Sequence, residues 1–415
     1  MKRVAITGAG TVNALACDVP GTLAAFRAGR TAIGPLSVAG IEDLRVRVAA
    51  QIQGFRPEEH FEKAEIGRLD RFAQLAAVAA REALLDSALP TSTEFRRATG
   101  VIIGTAGGGL TTSDDVARRL YAEGRERTNP LAVPMLMHNA AASRISMEGG
   151  FGGAVFSVSS ACASSNHAMG LAFQMVRSGT CPAVITGGSD AMLTYAGMKA
   201  WEGLRVMAPD MCRPFSATRN GMVQGEGAAV FVFEDMDRAR ARGARVLAEV
   251  VGFGMTSDAE DIVRPSQVGA ERAMRAALLD AGLVPDDVGY INAHGTGTKL
   301  NDSTEAAAIR SVFGVPPPVS STKAMHGHLM GATGAVELLA VILALQEGFI
   351  TPTVGFETAD PDCLLDVVPN QGRQSEVEVA LSNAFAFGGL NAVLVLKKAQ
   401  EMLRKTPPGS RTALR

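Results

Sequence analysis

The sequence predicts an α/β fold, and three of its features support this prediction. Short runs of valine, isoleucine and phenylalanine recur along the chain, separated by alanine-rich stretches of helical length. Glycine accounts for 45 of the 415 residues, which favours close packing of helices against strands and many tight turns. Hydrophobic residues make up 47% of the chain, which provides enough apolar surface for a large buried core.

The first strand is predicted at residues 4–7, and we expect it to run into a turn at Gly8 and Gly10. A glycine-rich turn after a strand resembles a dinucleotide-binding fingerprint. The third glycine and the later acidic residue that would bind a ribose are missing, so no Rossmann cofactor site is expected. The further strands of the first half are predicted from apolar and β-branched runs at 101–103, 154–158, 183–186, 228–233 and 246–251.

The second half of the chain repeats this alternation. Its elements are predicted as helices at 269–281, 303–313 and 334–346 and strands at 288–292, 377–382 and 391–396. Strands 154–158 and 377–382 both end in small polar residues, which indicates an internal duplication. We therefore expect two duplicated α/β halves in one compact unit, residues 1–250 and 251–400, and a solvated tail at 401–415.

Charge and cysteine content exclude several classes of protein. Forty-two acidic residues against 40 basic ones leave a formal charge of −2, so no overall cationic field exists to hold nucleic acid or an anionic bilayer. No uninterrupted apolar run of about 18 residues is present, so no membrane span is expected. The five cysteines are scattered and form no CxxC pair, which favours a reducing compartment, the cytoplasm.

Cys162 stands out among these cysteines because of its position. It directly follows a predicted strand and precedes a helical run. The free N–H groups and the dipole at the start of a helix favour the thiolate, so we expect a lowered pKa for Cys162. The other four cysteines, Cys17, Cys181, Cys212 and Cys363, are interpreted as small buried apolar residues.

Two histidines lie in glycine-containing turns, where α/β proteins commonly place their sites. His294 follows a strand, and His328 follows a serine- and threonine-rich segment. His326 and His328 form an HxH pair, but no third ligand pattern accompanies them, so no metal site is expected.

Four segments occur in the order and spacing of one known family: 161–164 with Cys162, 294–298 with His294, 321–328 with His328, and 387–389 with Phe387. With them, the chain from 4 to 396 resembles the elongating, two-histidine β-ketoacyl-[acyl carrier protein] synthases of the thiolase-like superfamily. The resemblance implies a thiolase-like fold, two duplicated α/β halves in a layered αβαβα arrangement. It also implies a reaction without a redox cofactor or a metal ion.

The resemblance implies a mechanism for these residues. Cys162 would take the acyl group from an acyl carrier protein, with the N–H groups of Cys162 and Phe387 as oxyanion donors. His294 and His328 would stabilise the enolate as malonyl-carrier protein loses CO2. The new carbon nucleophile would attack the acyl-Cys162 ester, which gives a 3-oxoacyl product two carbons longer.

Lys323 and Glu337 are the supporting pair in the resemblance. Lys323 would supply fixed positive charge, and Glu337 would orient Lys323 or the histidine loop. Taken alone, Lys323 is explained equally well as a solvated surface lysine. Glu337 is likewise explained equally well as an ordinary salt-bridge partner on a helix.

Two departures from the family pattern leave the pathway open. Leu390 stands where the family commonly has threonine after Gly388 and Gly389, and residues 260–265 replace an aromatic-histidine continuation. Both departures leave room for a specialised member, similar to ketosynthases of nodulation-factor lipids or polyene chains. The alternatives are another thiolase-fold acyltransferase, a thiolase or a chalcone-synthase-like enzyme, and the non-catalytic chain-length partner of polyketide systems, which lacks the nucleophile.

The resemblance also implies partners. Family members are dimers, and segment 133–137, with Met135 and Met137, is where a mate, identical or a chain-length subunit, would approach the acyl tunnel. An acidic carrier protein would dock on five basic residues, namely Lys63, Arg68, Arg71, Arg125 and Arg127. Alternatively, these residues are scattered solvated charges.

The acyl pocket is expected beside Cys162. Gly107 lies where a bulky residue closes the pocket in some family members, so its missing side chain would admit a medium or longer acyl tail. Alternatively, Gly107 serves only a positive φ in a tight loop. Met198 would form an adjustable pocket wall, Phe387 would gate the site, and Gly388 and Gly389 would contact substrate.

Overall fold

The computed structural model describes residues 1–399, and the tail expected at 401–415 lies outside the described residues. The strands are β1 (Val4–Asn13), β2 (Gly34–Pro35), β3 (Val48–Ala49), β4 (Gly100–Gly104), β5 (Val155–Val158), β6 (Ala183–Asp190), β7 (Gly227–Asp235), β8 (Ala248–Ser257), β9 (Tyr290–Asn292), β10 (Val319–Ser320), β11 (Phe349–Ile350), β12 (Arg373–Gln374), β13 (Val379–Ala386) and β14 (Leu390–Lys397).

The α-helices connect these strands, and α5 continues into a π-helical turn at Arg118–Ala122. They are α1 (Val19–Arg27), α2 (Lys63–Ile66), α3 (Arg71–Ser87), α4 (Thr93–Ala98), α5 (Leu110–Ala117), α6 (Ala132–Leu136), α7 (Ala140–Gly149), α8 (Ser164–Ser178), α9 (Tyr195–Leu204), α10 (Met236–Ala241), α11 (Gln267–Ala281), α12 (Lys299–Phe313), α13 (Lys323–His326) and α14 (Thr333–Glu347).

The strand order shows the duplication directly. The first half has the order β5-β4-β6-β7-β1, and the second half has β10-β9-β13-β14-β8. In each half the first three strands are parallel and the last two are antiparallel to their neighbours. The prediction of two duplicated α/β halves is therefore confirmed. The halves meet where residues 4–6 of β1 pair with 248–250 of β8.

The expected division at residue 250 falls inside β8, all of which belongs to the second half. We therefore propose that the division lies before Ala248, in the connection that follows α10.

The helices form three layers around the strands. α3 and α7 pack on the outer face of the first half, and α11 and α12 cover the second. α8 and α14 pack against each other and against strands of both halves, so they form the middle layer. This is the layered αβαβα arrangement, and it brings the strand ends that carry Cys162 and His294 to one central region.

The first strand differs from its prediction, because it does not end in a turn at the glycines. β1 continues through Gly8 and Gly10 to Asn13. A Cβ atom on Gly8 would lie 2.2 Å from the carbonyl oxygen of Ala83, and one on Gly10 would lie 2.0 Å from that of Ala79. These glycines therefore allow α3 to pack closely on the strand, and the turn prediction is wrong.

Within residues 1–399, one helical stretch is long and apolar enough by composition to cross a membrane, although its sequence is not an uninterrupted apolar run. It is Met330–Glu347, 18 residues with a mean hydropathy of 1.4, and 89% of it is buried inside the protein. Thr333 and Glu337 interrupt the apolar run in the sequence. A helix that is apolar on all sides is also typical of a buried core, and here it includes α14 of the middle layer.

Candidate active site

Cys162 lies in a tight turn between β5 and α8. Ala161 adopts a left-handed backbone conformation with φ of 49°, which turns the chain sharply before the cysteine. The Ser164 hydroxyl stabilises this turn, because it donates to the Ala161 carbonyl at 2.6 Å and accepts from the Ser160 N–H at 2.9 Å. The thiol is buried, and α8 begins at Ser164, two residues beyond Cys162. Three of the other cysteines are also buried, whereas Cys17 is exposed, so its predicted burial is wrong.

The expected lowering of the Cys162 pKa is wrong. Burial raises the pKa of Cys162 to about 12, and the nearby Lys323 charge opposes this rise without cancelling it. The resting residue is therefore a neutral thiol. Its Sγ atom lies 3.0 Å from Nε2 of His328, which places a possible proton acceptor in direct contact with the thiol.

The two predicted histidines face each other beside the thiol. The rings of His294 and His328 have centroids 5.4 Å apart and planes at 82°. Nδ1 of His328 is 2.8 Å from the Thr333 hydroxyl, which fixes the ring orientation. The backbone N–H groups of His294 and Gly295 each donate to the Glu305 carboxylate at 2.8 Å.

Both histidines are neutral at physiological pH. Burial lowers the pKa of each ring well below its ordinary value, and the positive charge of Lys323 lowers it further. Neutral imidazoles can accept a proton or donate one hydrogen bond each, so this pair suits proton transfer and oxyanion stabilisation.

Lys323 and Glu337 form a buried ion pair. Nζ of Lys323 lies 2.6 Å from Oε1 of Glu337, and the two side chains are 0% and 1% exposed. Lys323 also donates to the backbone carbonyl of His294. The alternative of a solvated lysine is therefore wrong. Burial raises the pKa of Glu337 to about 7, with the lysine acting in the opposite direction.

An open cavity of about 420 Å³ leads to Cys162, His294 and His328. Phe387 and Gly389 line it, and the ring of Phe387 stacks on Trp201 with centroids 5.8 Å apart. Gly388 and Gly389 have left-handed backbones, and the Gly388 N–H donates to the carbonyl of Ile262 at 2.8 Å. The turn at Phe387 thus contacts the 260–265 loop, which departs from the family pattern. Sequence reasoning missed Trp201, although it is the single tryptophan of the chain.

A methionine-rich apolar cluster lies beside the thiol. Met198 is fully buried and belongs to the same cluster as Cys162. The cluster also contains Leu193, Met207, Met222 and Met330, with Met192 partly buried against it. This cluster provides an apolar wall suited to an acyl chain.

Gly107 borders this cluster, and it does not have the positive φ that was the alternative explanation for a glycine at this position. The residue with a left-handed φ is the neighbouring Gly108, at 54°, so a positive dihedral does not explain Gly107. A Cβ on Gly107 would lie 2.8 Å from Cγ and Sδ of Met192, a side chain that could move. Met135 is half-buried in α6 and Met137 is 43% exposed just after it, on the outer surface of the single chain.

The predicted docking residues fall into two groups. Lys63, Arg68, Arg125 and Arg127 are exposed, and Arg125 pairs with Glu123 on the surface. Arg71 is different, because its guanidinium makes two 2.7 Å contacts with the buried Glu226 carboxylate. The Arg71 guanidinium is therefore already paired with a carboxylate and only 27% of the side chain is exposed, so we remove Arg71 from the docking residues.

Cys162, His294 and His328 also form a group that could hold a metal ion, because their ligand atoms lie within 4.8 Å of one another. The Lys323 charge, which acts on all three residues, disfavours a divalent cation there. We therefore interpret the group through the chemistry of a thiol and two imidazoles.

The duplicated halves and this buried thiol with two imidazoles are those of a thiolase-fold condensing enzyme. Residues 1–239 match the family model described as beta-ketoacyl synthase, N-terminal domain, and residues 247–357 match the one described as beta-ketoacyl synthase, C-terminal domain. The chain belongs to the β-ketoacyl synthase family and is an acyl-transferring condensing enzyme.

The chain is similar to a nodulation protein, to a 3-oxoacyl-[acyl-carrier-protein] synthase and to a solved ketosynthase/chain length factor. Nodulation protein E of Rhizobium sp. (strain N33) is 45% identical over 400 residues, 96% of this chain and 99% of the relative. The 3-oxoacyl-[acyl-carrier-protein] synthase 2 of Staphylococcus aureus (strain COL) is 40% identical over 407 residues, 96% and 98% of the two chains. A solved structure described as the ishigamide ketosynthase/chain length factor has a TM-score of 0.93 at 34% identity, covering 96% of this chain and all of that one.

Proposed function

We propose that this chain extends an acyl group held on Cys162 by decarboxylative condensation with malonyl-acyl carrier protein. In the loading step the thiol proton passes to Nε2 of His328, 3.0 Å away, as sulfur attacks the thioester carbonyl. The N–H groups of Cys162 and Phe387 are the proposed donors to the oxyanion. The C–S bond of the carrier thioester then breaks, and the departing carrier thiolate takes the proton.

The condensation step uses the same two rings. His294 and His328 donate hydrogen bonds to the malonyl thioester oxygen, and the carboxylate leaves as CO2 while its bonding electrons form the enolate. The Thr333 hydroxyl can donate to or accept from Nδ1, so His328 can hold its proton on either nitrogen. The enolate carbon attacks the acyl-Cys162 carbonyl, a C–C bond forms and the C–S bond to Cys162 breaks. The departing Cys162 thiolate then takes a proton from solvent, so each turnover consumes one proton.

Lys323 supports both steps without touching the reacting atoms. Its charge lowers the pKa of both histidines, which keeps them neutral, and also lowers that of the Cys162 thiol. Glu337 holds the ammonium in place at 2.6 Å. The pair therefore orients the His294 loop through its backbone carbonyl.

The observation that carries the proposal is the contact between the Cys162 thiol and His328 in a cavity that also contains His294. The test is 3-oxoacyl-carrier protein formation from acyl- and malonyl-carrier protein by wild type, Cys162→Ala and Cys181→Ala. Cys181 is also buried but lies in the core away from the histidines, which makes it a matched control. We expect condensation by wild type and Cys181→Ala only. Condensation by Cys162→Ala would overturn the proposal.

We further propose that the exposed cations Lys63, Arg68, Arg125 and Arg127 receive the acidic carrier protein by charge complementarity. The name of the staphylococcal relative refers to an acyl carrier protein, which supports this partner. The absence of cysteine pairs among the five free thiols supports a cytoplasmic location.

A second proposal concerns the subunit that covers the α6 surface. Val133 is 65% exposed and Met137 43%, and Phe156 on the edge strand β5 is 37% exposed. An apolar edge of this kind fits a second ketosynthase-type subunit, and the solved relative is described as a ketosynthase/chain length factor. Native mass spectrometry of the chain alone, and of the chain mixed with a related ketosynthase-type subunit, should show a homodimer in the first sample or a heterodimer in the second. A monomer in both samples would contradict the proposal.

A further inference from the structure

A buried carboxylate connects the acyl pocket to the histidine turn. Asp190, the last residue of β6, is fully buried. Its Oδ1 accepts from the Thr105 hydroxyl at 2.7 Å and from the Gly107 N–H at 3.0 Å. Its Oδ2 accepts from the N–H groups of Ala106 at 3.0 Å and Gly331 at 2.7 Å. Four donors from two distant segments thus converge on one carboxylate.

The two segments belong to different halves of the protein and to different parts of the site. Residues 105–107 follow β4 and border the cluster that contains Cys162. Gly331 lies in the turn between His328 and Thr333, the residue that orients His328 through Nδ1. A carboxylate that accepts from both segments therefore fixes the acyl pocket relative to the imidazole.

The packing at Gly331 supports this coupling independently. A Cβ on Gly331 would lie 2.5 Å from the backbone nitrogen of Ala106 and 2.8 Å from Oδ2 of Asp190. The two segments therefore touch through backbone atoms, and even one added carbon would push them apart. The observed geometry depends on both the carboxylate and the missing side chain.

We infer that Asp190 is a positioning residue that holds the Thr105–Gly107 turn and the Met330–Ala332 turn in register, and thereby aligns the acyl group on Cys162 with His328. This inference rests on the proposed function, because it assigns the reacting groups to Cys162 and His328. The carboxylate itself touches no reacting atom.

Asp190 also has an electrostatic effect that a purely structural residue would lack. Its negative charge raises the pKa of the Cys162 thiol, whereas the Lys323 charge lowers it. Removing the carboxylate charge should therefore increase the thiolate fraction. The other titratable groups that face Cys162 are His294, His328, Lys323 and Glu337, and none of these residues is substituted in the variants below.

The test compares Asp190→Asn and Gly331→Ala with Ser189→Ala. Ser189 precedes Asp190 on β6, and its hydroxyl donates a buried 2.7 Å hydrogen bond to the backbone carbonyl of Phe72. Ser189→Ala removes this bond, so the variant controls for a loss of stability alone. We expect Asp190→Asn to lower kcat about 10- to 100-fold, the loss typical of a hydrogen bond to a charged group. Gly331→Ala should lower kcat to a similar extent because its Cβ pushes the two turns apart, and neither variant should change KM for malonyl-carrier protein. Ser189→Ala should keep the wild-type kcat.

Alkylation of Cys162 by iodoacetamide separates charge from geometry. It should be faster at pH 8 in Asp190→Asn than in wild type, and unchanged in Gly331→Ala. Wild-type kcat in Gly331→Ala would overturn the inference even if Asp190→Asn does not fold. Wild type that does not condense would instead refute the proposed function, so the two failures are distinguishable.

Discussion

Substitution of Glu337 tests whether Lys323 and Glu337 form a buried ion pair beside the histidines. The two side chains are 0% and 1% exposed and 2.6 Å apart, and the other partner of the ammonium is the His294 carbonyl. Glu337→Gln leaves the ammonium without its counter-charge in the interior. Breaking such a pair costs about 3–5 kcal/mol of unfolding free energy, against about 0–1 kcal/mol for an exposed pair.

The matched control is the double variant Lys323→Met/Glu337→Gln, in which neither charge remains. Urea unfolding should show the single variant destabilised by about 3–5 kcal/mol and the double variant recovering most of that loss, because no unpaired charge is left. Condensation should stay impaired in the double variant, since the fixed charge near His294 is gone. A Glu337→Gln cost below about 1 kcal/mol would refute the buried ion pair.

Three other perturbations test separate parts of the site. Gly107→Ile should shorten the longest acyl group loaded on Cys162, because the new side chain displaces Met192. Intact-mass measurement with a series of acyl chain lengths checks this. Equal loss at all lengths would indicate a collapsed pocket, and an unchanged chain-length preference would place the length limit nearer Met135 and Met137. Because burial raises the pKa of Cys162 to about 12, its alkylation rate should increase about tenfold per pH unit from pH 7 to 10; a plateau near pH 7 would contradict that shift. Arg68→Glu/Arg127→Glu should raise KM for carrier-bound substrate and leave kcat unchanged, and an unchanged KM would remove both residues from the docking surface.

The sequence was most informative where local pattern and chemistry coincide. Apolar runs predicted the strands, and the small polar residues that end two of them predicted the duplication. The motifs placed Cys162, His294 and His328 in one site. The Gly8 and Gly10 prediction failed because a glycine in a turn and a glycine under a helix look alike in sequence. Only the packing of α3 on β1 distinguishes them.

The electrostatic state of the site depends on burial and on distant partners, which no local pattern shows. The helix-start position of Cys162 suggested a lowered pKa, but desolvation outweighs that effect. Asp190 was missed because its donor Gly331 lies 141 residues away in the chain. Arg71 was misread for the same reason, since Glu226 is 155 residues away.

The central claim is that Cys162 carries the acyl chain during elongation, and intact-mass spectrometry with peptide mapping tests it most directly. Incubation with acyl-carrier protein alone should add one acyl group, mapped to Cys162. Addition of 13C-labelled malonyl-carrier protein should then remove that group and release a 3-oxoacyl-carrier protein carrying two labelled carbons. Product formation with no acyl adduct on Cys162, or an adduct that malonyl-carrier protein does not discharge, would contradict the account.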